Sequence, residues 1–323
     1  MKQLFTNILI ALVLILVSCT KDPHVLTENS LSSLGTDEFV FKPCALLEEP
    51  INGWKDSTKG TEKDIFRALI NPLDYNQLIY MAGYKLYNYN RSTKSRKMIY
   101  NDIALTPGTP TINKFGWITF NNSQMQTCTI KSNGDSLKIL ASNAFYPRWD
   151  YTGKYIYFHT NLTLKRTDMH GINIDSILNY SILGVAKTAN IVVSTRPSLQ
   201  QLFMKNLDDG KETAIIVRDP RYDFLVFDNE DENIYWGYGA ILTLNLKTLK
   251  LDTLVKSCPV APLNTPANPN TYIFGTNISP GSDKLTFIYR VSTPVNRLKL
   301  YTEAYVLQMD LKTRKITEIK LFD

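Results

Sequence analysis

The stretch LTLNLKTLKLDTL, Leu242–Leu254, alternates apolar and polar residues on both sides of a short polar turn. Nearly the same pattern returns in LQMDLKTRKITEI, Leu307–Ile319. Alternation with a period of two is typical of β-strands that bury one face, and a polar break between two such runs indicates a turn. Each stretch is therefore predicted to form a β-hairpin, and the repetition predicts an architecture made of copies of one unit.

Four further stretches carry the hairpin pattern, beginning at Leu86, Thr127, Leu164 and Leu202. The six predicted turns centre on Asn90, Lys131, Asp168, Asp208, Asn245 and Asp310. Glycines that suit a positive φ follow three of these turns, at Gly134, Gly171 and Gly210. The turns recur about every 40 residues, with one longer interval before Asp310, and this period is typical of β-propeller blades.

A second pattern precedes each hairpin: an apolar residue, a polar turn and then dense strand-forming residues. The clearest copies are WDYTGKYIYF from Trp149, FDNEDENIYW from Phe227, ISPGSDKLTF from Ile278 and INPLDYNQLIY from Ile70. Weaker copies are FGWITF from Phe115 and TANIVVS from Thr188. The runs of Ile, Tyr and Phe favour a strand that is buried on both faces.

PRWDYTGKYIYF from Pro147 and NISPGSDKLTF from Asn277 resemble the repeats of TolB-like propellers, which are WD40-like (PD40-type). The resemblance covers about residues 66 to 320 and implies an all-β, six-bladed propeller. Thr152-Gly153 and Ser282-Asp283 stand where these repeats have Asp-Gly, and the α/β domain that precedes the TolB propeller has no room here. Seven blades, with a degenerate blade at residues 38–65, and a β-sandwich are the alternatives.

The amino terminus predicts export. Lys2 precedes an apolar run from Ile8 to Val17, which is shorter than the roughly 20 residues that span a bilayer. The sequence Leu16-Val17-Ser18-Cys19 resembles the lipobox of bacterial lipoproteins. This implies a signal peptide at 1–18, Sec export, a lipid on Cys19, and a place in the cell envelope on a membrane, facing the periplasm or the surface.

The remaining chain is divided by composition. Residues 19–37 are polar and Ser-rich, which predicts a flexible tether, and residues 38–323 are assigned to the propeller. Within the latter, the alternating EFVFK of Glu38–Lys42 is expected to add an edge strand that helps to close the ring. The formal net charge is +6, with both signs interspersed, so the sequence predicts no nucleic-acid partner.

Three cysteines remain besides Cys19. Cys128 lies in the alternating run TCTIK and is predicted to be a buried free thiol. Cys44 and Cys258 lie outside the clear strands, and in an oxidising compartment they are candidates for a disulfide bond.

The catalytic inventory is small. The sequence contains no G-x-S-x-G, H-E-x-x-H, phosphate-loop or C-x-x-C motif, and its histidines, His24, His159 and His170, are dispersed. We therefore expect no cofactor, no metal site and no catalytic residues. The predicted function is a monomeric, non-catalytic interaction or scaffold module whose partner is an envelope protein or a surface polysaccharide. The alternative is a glycan-binding or glycan-processing propeller with its site in the central funnel.

Two similar tetrapeptides supply candidate binding residues. PRWD at 147–150 and PRYD at 220–223 each precede the inner part of a predicted blade. An arginine beside an aromatic residue suits stacking on a sugar or binding a carboxylate, although an Arg–Asp pair that braces a loop is the simpler interpretation. The candidates are Arg148, Trp149, Asp150, Arg221, Tyr222 and Asp223.

Three triplets of Asp, Ser or Thr, and an apolar residue lie in the predicted hairpins. They are similar to an O-glycosylation acceptor of some Gram-negative envelope proteins, and a glycan there would discourage pairing between exposed strand edges. The candidate acceptors are Ser136, Ser176 and Thr253. Chance alternation in the hairpin strands is the competing explanation.

Overall fold

The computed structural model describes residues 38–45, 55–56, 58–59, 61–104, 110–150, 152–161, 163–178, 181–187, 190–196, 201–216, 225–237, 239–258, 270–296 and 299–322. Regular structure in these ranges is entirely β, with 25 strands in six sheets. No helix among them has the length and apolar character needed to cross a membrane.

Strand β1 (Lys55–Asp56) precedes the first blade. Blade 1 contains β2 (Ile65–Ile70), β3 (Gln77–Ala82), β4 (Lys85–Asn90) and β5 (Ser95–Tyr100). Blade 2 contains β6 (Thr111–Ile112), β7 (Trp117–Asn121), β8 (Thr127–Lys131) and β9 (Lys138–Ala141). Blade 3 contains β10 (Phe145–Trp149), β11 (Ile156–Thr160), β12 (Thr163–Thr167) and β13 (Ile174–Leu178).

Blade 4 contains β14 (Ser181–Val185), β15 (Ile191–Arg196), β16 (Gln201–Asn206) and β17 (Glu212–Ile216). Blade 5 contains β18 (Val226–Phe227), β19 (Asn233–Gly237), β20 (Ala240–Asn245) and β21 (Leu251–Lys256). Blade 6 contains β22 (Thr271–Ile278), β23 (Lys284–Asn296), β24 (Lys299–Asp310) and β25 (Ile316–Glu318).

In each blade four consecutive strands pair antiparallel, β1 adds a fifth, parallel strand to the sheet of blade 6, and the six blades form a β-propeller. The prediction of six blades is thereby confirmed, and the β-sandwich alternative is wrong. The second strands β3 and β19 are almost wholly buried, whereas the outer strand β5 is mostly exposed. Packing blade against blade buries both faces of every sheet, which a single four-stranded sheet cannot achieve alone.

The repeated hairpins are the third and fourth strands of each blade. Side-chain caps in their turns explain why the hairpin sequences are similar. Oδ1 of Asn245 accepts hydrogen bonds from the backbone N–H groups of Lys247 and Thr248, at 3.1 and 2.9 Å. Oδ1 of Asp310 accepts the equivalent bonds from Lys312 and Thr313, and these bonds hold the pKa of Asp310 below its usual value. An Asn or Asp that replaces the backbone acceptors of a turn is therefore selected at the same place in several blades. As predicted, Gly134, Gly171 and Gly210 have positive φ.

Blades 1 and 6 meet to close the ring. Tyr80 of β3 belongs to the same apolar cluster as Ile288 of β23 and Val306 of β24. Arg290 of β23 is also paired with the buried carboxylate of Asp64, just before β2. Within the described residues, β2–β5 of blade 1 and β22–β25 of blade 6 share no strand, so these two blades are joined by side-chain packing and the ion pair, while β1, which precedes blade 1, pairs with β24 of blade 6.

The segment before the first blade corrects two expectations. Glu38–Lys42 forms no strand, although the N–H of Phe39 donates to the carbonyl of Ile316 in β25 at 2.7 Å. The Phe39 ring also packs edge-on against Tyr289. Among the described residues between 38 and 64, only β1 is a strand, and it pairs in parallel with β24, so the seven-blade alternative is wrong. Chain that lies against a completed four-stranded blade adds to its edge instead of building a new sheet.

Candidate binding funnel

A cavity lies on the propeller axis, where the first strands of all six blades end. It holds about 690 Å³ of space, part of which is continuous with solvent. Each first strand contributes the apolar residue that precedes its turn: Ile70, Ile112, Trp149, Val185, Phe227 and Ile278. Because this space includes open solvent, the cavity is a funnel whose wall a small ligand or a side chain of a partner can contact.

Three cationic side chains also line this cavity. They are Arg67 in β2, Arg148 in β10 and Lys187 directly after β14. The arginines are 1% and 3% exposed, so their charges act where water screens them weakly. An apolar ring with three embedded cations suits an anionic group that is attached to an apolar body.

Arg148 influences a neighbouring histidine. His159 in β11 is 3% exposed, and burial, reinforced by the positive charge of Arg148, lowers the pKa of its imidazole to about 4. His159 is therefore neutral at physiological pH and adds no positive charge beside the funnel.

Trp149 contributes an indole to the funnel wall. Its backbone N–H donates to Oγ1 of Thr111 at 3.0 Å, which joins the first strands of blades 2 and 3. Its side-chain Nε1 is buried, and no acceptor for it exists among the described residues. A buried indole N–H usually has an acceptor, so this donor is an exception.

The turn after each first strand begins at an equivalent position. There the backbone N–H donates to a carbonyl at the start of the second strand, as from Asn113 to Trp117 at 3.0 Å and from Ala186 to Ile191 at 3.0 Å. The six equivalent residues are Asn71, Asn113, Asp150, Ala186, Asp228 and Ser279. Five of them have a polar side chain that caps its own turn, as Asn113 Oδ1 does for the N–H groups of Phe115 and Trp117.

Blade 4 departs from this pattern because Ala186 has no cap to offer. The next residue, Lys187, is held instead by blade 5: its backbone N–H donates to Oδ1 of Asp231 at 2.7 Å, and its Nζ donates to Oδ1 of Asn229 at 2.8 Å. Burial lowers the pKa of Lys187 to about 8, while the nearby carboxylates of Asp228, Asp231 and Glu230 act in the opposite direction. Its ammonium is thus the cation in the funnel that can lose its charge near neutral pH.

The structure brings part of the predicted binding set together. Arg148 and Trp149 line the funnel, whereas Asp150 caps the β10–β11 turn by accepting a hydrogen bond from the N–H of Tyr155 at 3.0 Å. Arg221, Tyr222 and Asp223 lie outside the described residues. The sequence analysis missed Arg67 and Lys187. The substitution of alanine for the usual capping residue was the available signal for Lys187, whereas Arg67 lies in a strand with no motif of its own.

The remaining predicted sites are distributed over the propeller. Ser136, in the β8–β9 turn, Ser176 in β13 and Thr253 in β21 are all exposed on outer hairpins, and their glycosylation remains a prediction. Cys44 and Cys258 are joined by a disulfide bond with a Cα–Cα distance of 5.3 Å. Cys128 is buried with a free thiol, and burial raises its pKa to about 11. Cys19 and the rest of 1–37, assigned to the signal peptide and the tether, lie outside the described residues.

Acidic and metal-binding residues do not converge on the funnel in the part of the chain that the structure describes. Its lining there contains no carboxylate, and no group of three or more His, Cys, Asp or Glu side chains is placed to hold a metal ion anywhere in that part. The funnel is therefore described by its cations and its apolar ring.

Known structures share the fold. The chain matches no protein-family model and no curated protein sequence. A putative TolB from Agrobacterium tumefaciens is 12% identical over 73% of this chain and 88% of that one, with a TM-score of 0.54. An oligogalacturonate lyase from Vibrio parahaemolyticus is 12% identical over 80% of each chain, with a TM-score of 0.50. A chain from a nidogen/laminin complex is 11% identical over 74% of this chain and 91% of that one, with a TM-score of 0.53. At these identities the likeness shows the fold alone.

Proposed function

We propose that this protein is a lipid-anchored component of the bacterial cell envelope whose propeller is a non-catalytic binding module. In this role the rigid ring presents its funnel mouth to a partner protein, and the lipid on Cys19 holds it at a membrane. The lipobox-like sequence and the polar segment 19–37 support the anchor.

The observation that carries the proposal is the composition of the funnel wall. Arg67 and Arg148 are buried cations beside an apolar ring, and each is placed by a strand in the core of a blade. Rigid placement lowers the ordering cost of binding, and a partially desolvated guanidinium binds a carboxylate strongly. An acidic segment with an apolar side chain is the partner chemistry that this wall fits best.

Crosslinking in the native envelope tests the proposal. A photo-crosslinking residue replaces Leu73 in the β2–β3 turn or Phe115 in the β6–β7 turn, both of which are exposed at the funnel end. Tyr84, in the β3–β4 turn at the opposite end of the ring, is the matched control. A partner should be captured from the two funnel positions at a yield at least about tenfold above that from Tyr84.

Arg148→Met in the same background should reduce this capture by about tenfold or more, because a desolvated charge pair is lost. Equal capture from Tyr84, or capture that Arg148→Met leaves unchanged in a protein with native circular dichroism, contradicts the proposal.

The anchor has its own test. Metabolic labelling with a lipid precursor should label the wild-type chain, and Cys19→Ala should take up no label and leave the membrane fraction. A Cys19→Ala variant that is still labelled contradicts the assignment of the lipid to this cysteine.

The second candidate function, binding or processing of a surface glycan, is favoured by the same cations, since acidic sugars also carry carboxylates. Among the described residues the funnel wall contains no carboxylate, which leaves glycan processing without the acid and base that most such enzymes use. A protein partner is therefore preferred. Retention of the purified propeller by an acidic polysaccharide, lost in Arg148→Met, would reverse that preference.

A further inference from the structure

The turn between β14 and β15 places one lysine at the funnel wall. Five first-strand turns begin with a side chain that caps its own turn, but blade 4 has Ala186 there, and Lys187 follows. Lys187 lines the cavity, while its backbone and side chain are held by Asp231 and Asn229 of the neighbouring blade. Lys187 is thus held at the cavity wall by two hydrogen bonds to blade 5, one from its backbone N–H and one from its Nζ.

Lys114 occupies the equivalent position in blade 2 and behaves differently. It follows the capping residue Asn113, it is exposed, and its Nζ lies over the ring of Phe115, 5.1 Å from the centroid. It is not part of the cavity wall. The same residue type at the same point of the repeat is therefore an outward cation in blade 2 and a cavity amine in blade 4.

We infer that Lys187 captures, as a reversible imine, a small aldehyde or ketone that carries an anionic group. The neutral Nζ attacks the carbonyl carbon, the carbonyl oxygen takes up a proton, and the resulting carbinolamine loses water to form the C=N bond. No oxidant or reductant is required, and hydrolysis of the imine releases both components. Arg67 and Arg148 line the same cavity and provide the charge that an anionic group on the ligand needs.

The electrostatic surroundings support this reactivity. With the pKa of Lys187 lowered to about 8, roughly a quarter of the amine is neutral at pH 7.5. An ordinary lysine, with a pKa near 10.4, is neutral to on the order of 0.1% at that pH. Desolvated lysines in apolar pockets form Schiff bases for this reason.

Covalent trapping on the purified, folded chain tests the inference. Pyridoxal 5′-phosphate, an aldehyde that carries a phosphate, is added at pH 7.5, the imine is reduced with borohydride, and the modified lysines are mapped by peptide mass spectrometry. Lys187 should be modified at least about tenfold faster than Lys114, since its neutral fraction exceeds that of an ordinary lysine by roughly two-hundredfold and this advantage is partly offset by burial. Lys187→Arg should abolish the modification of that peptide without altering the rate at Lys114.

Two further arms define the ligand class. Pyridoxal, which lacks the phosphate, should lose severalfold of the preference for Lys187, and inorganic phosphate should slow its labelling by pyridoxal 5′-phosphate. Labelling of Lys187 no faster than Lys114, or rates that follow exposure alone, overturns the inference. Equal preference for pyridoxal and its phosphate overturns the anionic part. The inference goes beyond partner binding, and the experiment contains no partner, so neither result depends on the crosslinking outcome.

Discussion

Lys114 in blade 2 and Lys187 in blade 4 have the same place in the repeat and opposite environments. Where Asn113 caps its turn internally, the following lysine is exposed at the rim. Where Ala186 removes the cap, the neighbouring blade supplies the acceptors and the lysine lies against the cavity. The difference shows that one missing cap can couple two blades and convert an exposed position into one that lines the funnel.

The comparison depends first on the cap itself. Asn113 is buried, and its Oδ1 accepts hydrogen bonds from the N–H groups of Phe115 and Trp117 at 2.9 and 3.0 Å. Asn113→Ala copies blade 4 in blade 2 but leaves these donors without the acceptor. We expect a loss of about 1–3 kcal/mol in the free energy of unfolding, measured by urea denaturation.

Asn133→Ala is the matched control, because Asn133 is exposed in the β8–β9 turn and its Oδ1 accepts one backbone hydrogen bond, from Asp135. Asn133→Ala should lower the free energy of unfolding by no more than about 0.5–1 kcal/mol. If Asn113→Ala lowers the free energy of unfolding no more than Asn133→Ala does, the cap does not stabilise blade 2. The absence of a cap in blade 4 would then not explain why Lys187 is held by blade 5.

The second prediction concerns how the contribution of Lys187 to stability depends on pH. The pKa of Lys187 is about 8 in the folded protein and 10.5 in the unfolded chain. At a pH between these two values, the unfolded chain therefore binds more protons than the folded one. The contribution of Lys187 to stability therefore rises with pH over that range, and below pH 8 the buried ammonium imposes its full desolvation cost.

Lys187→Met removes this titration. Compared with wild type, the variant should gain thermal stability at pH 7, and the gain should shrink as the pH is raised from 8 to 10. Lys114→Met, at the exposed counterpart, is the matched control for the loss of one lysine from this turn. A gain for Lys187→Met that is constant with pH would show that Lys187 is not titrating near 8.

The sequence predicted much of the fold because its signals are local and repeated. The hairpins around Asn245 and Asp310 depend on caps within three residues, and such bonds can be recognised from spacing alone. The weak copies, FGWITF and TANIVVS, were also placed correctly, as β7 and β15, because the period left room for a strand there. Glu38–Lys42 was misassigned as a strand because alternation does not show whether a partner edge has room for a full ladder.

Only part of the funnel could be predicted from such local patterns. Arg148 and Trp149 were predicted as binding residues from the tetrapeptide PRWD. Their convergence with Arg67 and Lys187 depends on the closure of the ring, which brings together positions about 120 residues apart. The contact between Lys187 and Asn229 crosses from blade 4 to blade 5. Contacts between blades follow from the radial geometry and leave no local pattern in the chain.

The smallest expected effect comes from the acid that holds Lys187. Asp231 accepts the backbone N–H of Lys187, and its charge raises the pKa of the lysine against the larger effect of burial. Asp231→Asn retains an oxygen acceptor but removes the charge, so the pKa of Lys187 should fall below 8. At pH 7.5 the labelling of Lys187 by pyridoxal 5′-phosphate should then rise by less than about fourfold, since roughly a quarter of the amine is already neutral. The midpoint of the pH–rate profile should move down while the rate at Lys114 stays constant. A midpoint that moves up, or that moves equally for Lys114, would mean that Asp231 acts on the turn and not on the amine, and the coupling between blades 4 and 5 would then be mechanical alone.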